Sequence, residues 1–152
     1  MNLVKGGINI CGVSIGVLSL ESYFPKPPGH IKNPSSLPFT LTYEIIQGLT
    51  VSKLLNSSTP DMLDPLLDAA RRLERSGVKA ITGSCGFLAL FQAEIAQAVS
   101  VPVFVSSLVQ LPLIHTMTQR PVGVLTASAP ALTEKHLAGA GAAGVPVVVQ
   151  GM

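Results

Sequence analysis

Cys85 stands in a stretch from Val78 to Val99, VKAITGSCGFLALFQAEIAQAV, that reads as a buried strand, a turn of small residues and an amphipathic helix. A thiol in such a turn can move a proton to or from carbon, provided its pKa lies near the working pH. At a helix N-terminus it meets unpaired backbone N–H groups and the positive end of the dipole, so the sequence predicts a lowered pKa for Cys85. A free cysteine beside a tight turn also serves as a small buried hydrophobe, and the local pattern leaves both roles open. The same pattern recurs downstream, where a strand over Pro121 to Thr126 opens into Thr126-Ala127-Ser128, Pro130 and a helix over 131–138. Small and hydroxyl residues between a strand end and a helix start make a cradle for carboxylate or phosphate. Ser84, Gly86, Thr126 and Ser128 are expected to line one anion-binding cleft, with Phe87 and Ala127 as further substrate-binding positions. Cys11 precedes the first strand, at the end opposite to that where open α/β sheets bind ligands, and is a poor partner for Cys85.

Several elements must hold these turns in place. Val78, Ala80 and Ile81 have the short apolar character of a strand covered on both faces, and Phe87, Leu88, Phe91, Ile95 and Val99 recur at helical steps. Gly12 to Leu20 is the first strand of a parallel sheet. Glu21 to Thr40 holds five of the twelve prolines and must be a loop leaving the ligand-bearing end of that strand. Any of its polar side chains, Glu21, Tyr23, His30, Lys32 or Asn33, can reach a ligand there, and Asn33 is placed among the substrate-binding positions. The segment 41–55 is helical or mixed, its type left open by Gly48. A helix is predicted within 59–77, with Asp64 as cap, Pro65 at its first position and Gly77 closing it. Its buried stripe is Leu66, Leu67, Ala70 and Leu73, with Arg71, Arg72 and Arg75 on or near the solvated face. Val101 to Ser106 and Val145 to Gln150 are further strands, and Leu108 to Met117 a short helix containing Pro112. This alternation implies an α/β fold, a parallel sheet with flanking helices and right-handed crossovers.

Composition excludes other classes of function. The 152 residues are 47% hydrophobic and only 12% charged, with a net charge of +2, so nucleic-acid binding has no electrostatic footprint. The two cysteines show no C-x-x-C spacing, which argues against a zinc site or a disulfide framework and for a reducing, cytoplasmic setting. No metal or organic cofactor is expected, since G-x-G-x-x-G after the first strand and G-x-x-x-x-G-K are both missing. No run has the eighteen or so apolar residues a membrane helix requires. Lys5 and the apolar run over 8–20 imitate a signal peptide but lack a small-x-small cleavage site. Asn56-Ser57-Ser58 matches a glycosylation acceptor, which matters only in a secreted protein.

Taken with FPKPPGHIKNP, AITGSCGFLALFQ, VPVFVSSLVQLPLI and PVGVLTASAPALTEKHL, the chain resembles the aspartate/glutamate/hydantoin racemase superfamily, in particular its Asp/Glu racemase-like branch. The resemblance implies two similar α/β lobes with the active site between them. Residues 1–118 would form the first lobe, carrying Cys85, and residues 119–152 the beginning of a second. It further implies cofactor-independent proton transfer at the carbon beside a carboxylate or carbonyl of a small substrate, with Cys85 as acid/base. In the racemases a second-lobe cysteine works on the opposite face; its counterpart here would fall beyond Met152. Amino-acid racemases of the family follow the first cysteine with Asn-Thr, whereas Gly86 and Phe87 stand here, so amino-acid specificity is not implied. Arylmalonate decarboxylases of the same superfamily work with one cysteine and give the alternative reading, beside a non-catalytic ligand-binding remnant. A chain that carries one lobe and part of another is expected to expose apolar area, to self-associate or be markedly unstable, and to show negligible racemization of aspartate, glutamate or hydantoins.

Overall fold

The strand β1 (Ile15–Glu21) is buried from Gly16 to Leu20, as a strand covered on both faces must be. In this computed structural model, which describes residues 6–56 and 60–152, β1 pairs in parallel with β2 (Leu41–Thr50) on one side and β3 (Ala80–Gly83) on the other. β4 (Val103–Phe104) completes a parallel sheet of order β2-β1-β3-β4. The segment left open by the sequence therefore divides, its first ten residues forming an edge strand and Val51–Asn56 a short helix, α1. Lys5 and the Ser57-Ser58 half of the glycosylation acceptor lie outside the described residues.

One face of the sheet is covered by α2 (Leu63–Ser76), whose Leu66, Ala69, Ala70 and Leu73 are buried with Leu18, Leu20 and Ile81 in the main core. Gly77 ends α2 in the left-handed conformation (φ 108°), donating its N–H to Glu74 O. Asp64 is not the cap. A 3-10 turn over Pro60–Met62 leads directly into the helix, Met62 holds the cap position, and Pro65 sits within the first turn, where its missing N–H costs nothing.

The helix expected straight after Cys85 is also different. Gly86–Phe91 is a 3-10 helix, and the α-helix α3 (Gln92–Ala98) starts one turn later. Phe87, Leu88 and Ala89 are buried in succession, which a helix lying on a single core does not achieve. Phe87 and Leu88 enter the main core while Ala89 enters a second one, formed with Leu108, Val122, Val124 and Leu137. That second core lies under α4 (Leu111–Thr118), α5 (Glu134–Gly139) and a separate two-stranded parallel sheet of β5 (Val122–Thr126) and β6 (Val147–Gly151). The 3-10 helix after Cys85 is thus the splice between two packed units.

Candidate active site

Three strands end in small or hydroxyl residues at one place. After β3, a Cβ on Gly83 would stand 2.5 Å from Val105 O and 2.8 Å from Leu88 Cδ1, so glycine is what lets this strand lie against the next. Ser84 then stitches the turn to the end of β1. Its N–H donates to Leu18 O, and its Oγ accepts from the Leu20 N–H, both at 3.0 Å. Cys85 follows in extended conformation (φ −147°, ψ 127°) at the head of the 3-10 helix. After β4, Ser106 adopts nearly the same conformation and accepts the Leu108 N–H on its own Oγ at 3.2 Å, opening a second 3-10 turn over Ser107–Gln110. After β5, Thr126 is buried and accepts the Met152 N–H at 3.0 Å.

The turns meet around a cavity of about 210 Å³ whose walls include Cys85, Gly86, Phe87, Ser107, Thr126 and Ala127. The Cys85 turn and the Thr126 turn therefore share one cleft. Ser84 opens instead into an adjoining cavity of about 330 Å³, with Ile31 and Ser106, and Cys85 and Gly86 border both spaces. Ser128 and Asn33 line neither cavity. The Ser128 carbonyl is engaged by the Leu132 N–H at 3.3 Å. Asn33 folds the proline-rich loop on itself, donating to Lys26 O at 2.7 Å and accepting from the N–H and hydroxyl of Ser35 at 2.9 and 2.7 Å. The Asn33 amide is thus engaged in organising its own loop.

The lowered pKa expected for Cys85 is not what its surroundings give. Burial pushes the thiol up, and the opposing pulls of the Phe87 backbone N–H and the Lys32 ammonium do not overcome it. Cys85 packs against the main core, and only a six-residue 3-10 turn stands behind it. Resting Cys85 thus keeps its proton. Cys11 is exposed and lines neither cavity that Cys85 borders.

Sequence reasoning missed the Ser106-Ser107 turn, although a strand running into two serines carries the same signal as the other two turns. It also passed over Lys32 in favour of Asn33; nothing local distinguishes a lysine turned back onto a strand end from a solvated one. His136 on α5 was missed too. Its buried ring stands edge-on to Phe87, with centroids 5.1 Å apart and planes at 88°. Among the described residues, no cluster of three or more His, Cys, Asp or Glu could hold a metal ion, and no helix is long and apolar enough to cross a membrane.

The fold is an α/β architecture with helices flanking a parallel sheet, and solved structures share it. A glycine-to-cysteine variant of arylmalonate decarboxylase in a sulfate-associated form superposes with a TM-score of 0.60 at 17% identity, over 91% of this chain and 62% of that one. An aspartate racemase homologue from Pyrococcus horikoshii superposes at 0.50 and 16% identity, over 90% of this chain and 64% of that one. In sequence, the chain is similar to proteins of a further activity. It is 37% identical over 102 residues to dimethylsulfoniopropionate lyase 6 of Emiliania huxleyi, and 31% identical over 132 residues to dimethylsulfoniopropionate lyase of Durusdinium sp. clade D. The matches cover 66% and 84% of this chain, but it spans only 27% and 44% of those relatives. No protein-family model matches the chain.

Proposed function

We propose that this chain carries the first half of a cofactor-independent active site in which Cys85 exchanges a proton at the carbon beside a carboxylate. The observation that carries the reading is the placement of Cys85 on the wall of a cleft shared with the Thr126 turn. The Cys85 turn follows β3 of the four-stranded sheet and the Thr126 turn follows β5 of the two-stranded one, so each sheet contributes one turn. Racemases, decarboxylases and lyases acting on such carbons share a carbanion stabilised by the neighbouring carboxylate or carbonyl, and they differ in its fate. The lyase names of the sequence relatives favour elimination. The Cys85 thiolate takes the proton from the carbon beside the carboxylate, and the electron pair left there forms the C=C bond. The next carbon then releases its substituent, which for a sulfonium leaves as neutral dimethyl sulfide. Racemization of an amino acid is the less favoured fate, with Gly86 and Phe87 where the amino-acid racemases have Asn-Thr.

A second reading has its own support. A thiol that burial keeps protonated is ready to deliver a proton to a carbanion left by loss of carbon dioxide, and arylmalonate decarboxylase shares the fold. The two separate by assay. The chain is incubated in D2O with dimethylsulfoniopropionate and, separately, with an arylmalonate. Release of dimethyl sulfide, or deuterium at the carbon beside the carboxylate, that disappears in Cys85→Ala supports proton exchange at Cys85. Product formation that survives Cys85→Ala refutes it.

A further inference from the structure

Lys32 is a half-buried ammonium bound to the end of β1, the strand beside the one that leads into Cys85. Its Nζ donates to Leu20 O and, at 2.8 Å, to Ser22 Oγ. The same Leu20 donates its N–H to Ser84 Oγ, so one residue of β1 joins the lysine to the immediate chain neighbour of Cys85. Tyr43 Oη holds the loop down from β2 by donating to Ile31 O at 2.8 Å, and Ile31 walls the 330 Å³ cavity that Cys85 borders. The loop thus holds Lys32 at the end of β1, one hydrogen-bonded residue away from the Ser84–Cys85 turn.

Among the described residues the ion pairs are Arg71–Asp68 and Arg72–Glu44, and neither includes Lys32, although Glu21 lines the same cavity as the lysine. The nearest acid in sequence, Glu21, is taken up by the Tyr23 hydroxyl and by the Gly48 N–H at 2.7 Å. The other charged or titratable groups of the loop are Lys26, whose Nζ donates to Ser22 O, and His30, whose Nδ1 accepts the Lys32 N–H. Lys32 lines a cavity with Glu21, Tyr23, Lys26 and Tyr43, while the cleft on the far side of Cys85 is walled by Ser107, Leu108, Thr126, Ala127 and Leu132, with no charged side chain. Through Leu20 and Ser84, Lys32 is linked to the turn in which Cys85 would ionise.

We infer that Lys32 is a positioning residue for acid–base chemistry at Cys85, a fixed cation that stabilises the thiolate each time the cysteine gives up its proton. The inference rests on Cys85 as the proton-exchanging group and assigns the means by which an enclosed thiol ionises. The Lys32 ammonium lowers the Cys85 pKa and the thiolate in turn raises that of Lys32, the reciprocal signs of one attraction. Lys26 behind it lowers the Lys32 pKa, as a like charge does.

The test is the pH dependence of Cys85 alkylation by iodoacetamide, read by peptide mass spectrometry in the wild-type chain, Lys32→Gln and Lys32→Arg. Glutamine keeps a donor for Leu20 O and removes the charge; arginine keeps the charge. Lys32→Gln is expected to move the Cys85 profile upward by roughly half a pH unit, a roughly threefold slower reaction on the rising limb, with the difference shrinking as salt is added. Lys32→Arg should restore the wild-type profile. An unmoved profile in Lys32→Gln overturns the inference. So does faster alkylation, which would mean that Lys32 only holds the loop closed over the sulfur. Turnover is not needed for this measurement, so an unmoved profile would leave a Cys85-dependent reaction intact, and an inactive chain would still report the coupling.

Discussion

Cys85 and Cys11 belong to different environments, and their reactivity should follow the environment. Cys85 is enclosed and its thiol pushed up by burial, while Cys11 is exposed ahead of β1. Iodoacetamide at about pH 7.5 is therefore expected to label Cys11 several-fold faster than Cys85. The order is the reverse of that given by the helix-end reading, and a Cys85 peptide labelled first would refute the burial argument. A stability effect follows from the same shift. A thiol whose pKa is raised by folding stabilises the fold fully below its unfolded pKa, and that contribution is lost as pH rises through the folded pKa. Wild-type stability should therefore fall more steeply than that of Cys85→Ser on the alkaline side of the ordinary thiol range, as followed by thermal melts. Equal slopes for the two proteins would mean that Cys85 titrates alike folded and unfolded.

The turn that presents Cys85 depends on close contacts between elements, and two substitutions probe them. Gly83→Ala places a methyl 2.5 Å from Val105 O, a backbone atom that cannot rotate aside. Overpacking of this kind is expected to cost about 1–3 kcal/mol, read as a lowered denaturant midpoint, and an unchanged midpoint would show that β3 and the segment after β4 can separate freely. At α5, Thr133 and His136 form a capping box in which His136 Nδ1 accepts the Thr133 N–H at 3.1 Å, leaving the proton of the neutral ring on Nε2, which has no hydrogen-bond partner. Burial lowers the His136 pKa, against the Thr133 hydrogen bond. A base whose pKa is lowered by folding stabilises the fold above its unfolded pKa, and that contribution is lost as pH falls through the folded one. Glutamine suits the same box without titrating, so His136→Gln should flatten the fall in melting temperature between about pH 7 and pH 5. A parallel fall in both proteins would remove His136 as the cause. Much at this scale was legible, because strand-length apolar runs and the α2 stripe are local signals. β2 was not, since Ile45 is exposed on an edge strand and Gly48 breaks either pattern. Nor was the 3-10 geometry after Cys85, since Phe87, Leu88 and Phe91 fit a helical period whether one core or two receives them. The direction of the Cys85 shift was illegible for a related reason: most of the main core against which it packs, and Thr126, Ala127 and Leu132 on the wall of its cleft, are far from it in the sequence.

At the scale of the molecule, the two sheets are unequally protected. The four-stranded sheet has α2 across one face, and its inner strand β1 is buried throughout its middle. The β5–β6 pair is covered on one side only: Val122, Val124, Val147 and Val149 pack into the second core. On the other side the register sets Val148 opposite Gly123 and Gln150 opposite Leu125, and Leu125 and Val148 are 76% and 64% exposed. Leu113 and Met117 add a further exposed pair, four residues apart on α4. Two strands with one bare apolar face are marginal alone and gain by pairing with another surface. With 12% charged residues, little on this chain opposes association of copies through that face. The chain is therefore expected to self-associate at roughly 0.1 mM, visible as a concentration-dependent mass in light scattering. Leu125→Lys combined with Val148→Lys should return the monomer mass with an unchanged far-ultraviolet circular dichroism spectrum, since both side chains point away from the second core. A wild-type chain that stays monomeric at that concentration, or a double variant that associates as before, would show that this face is not the adhesive one.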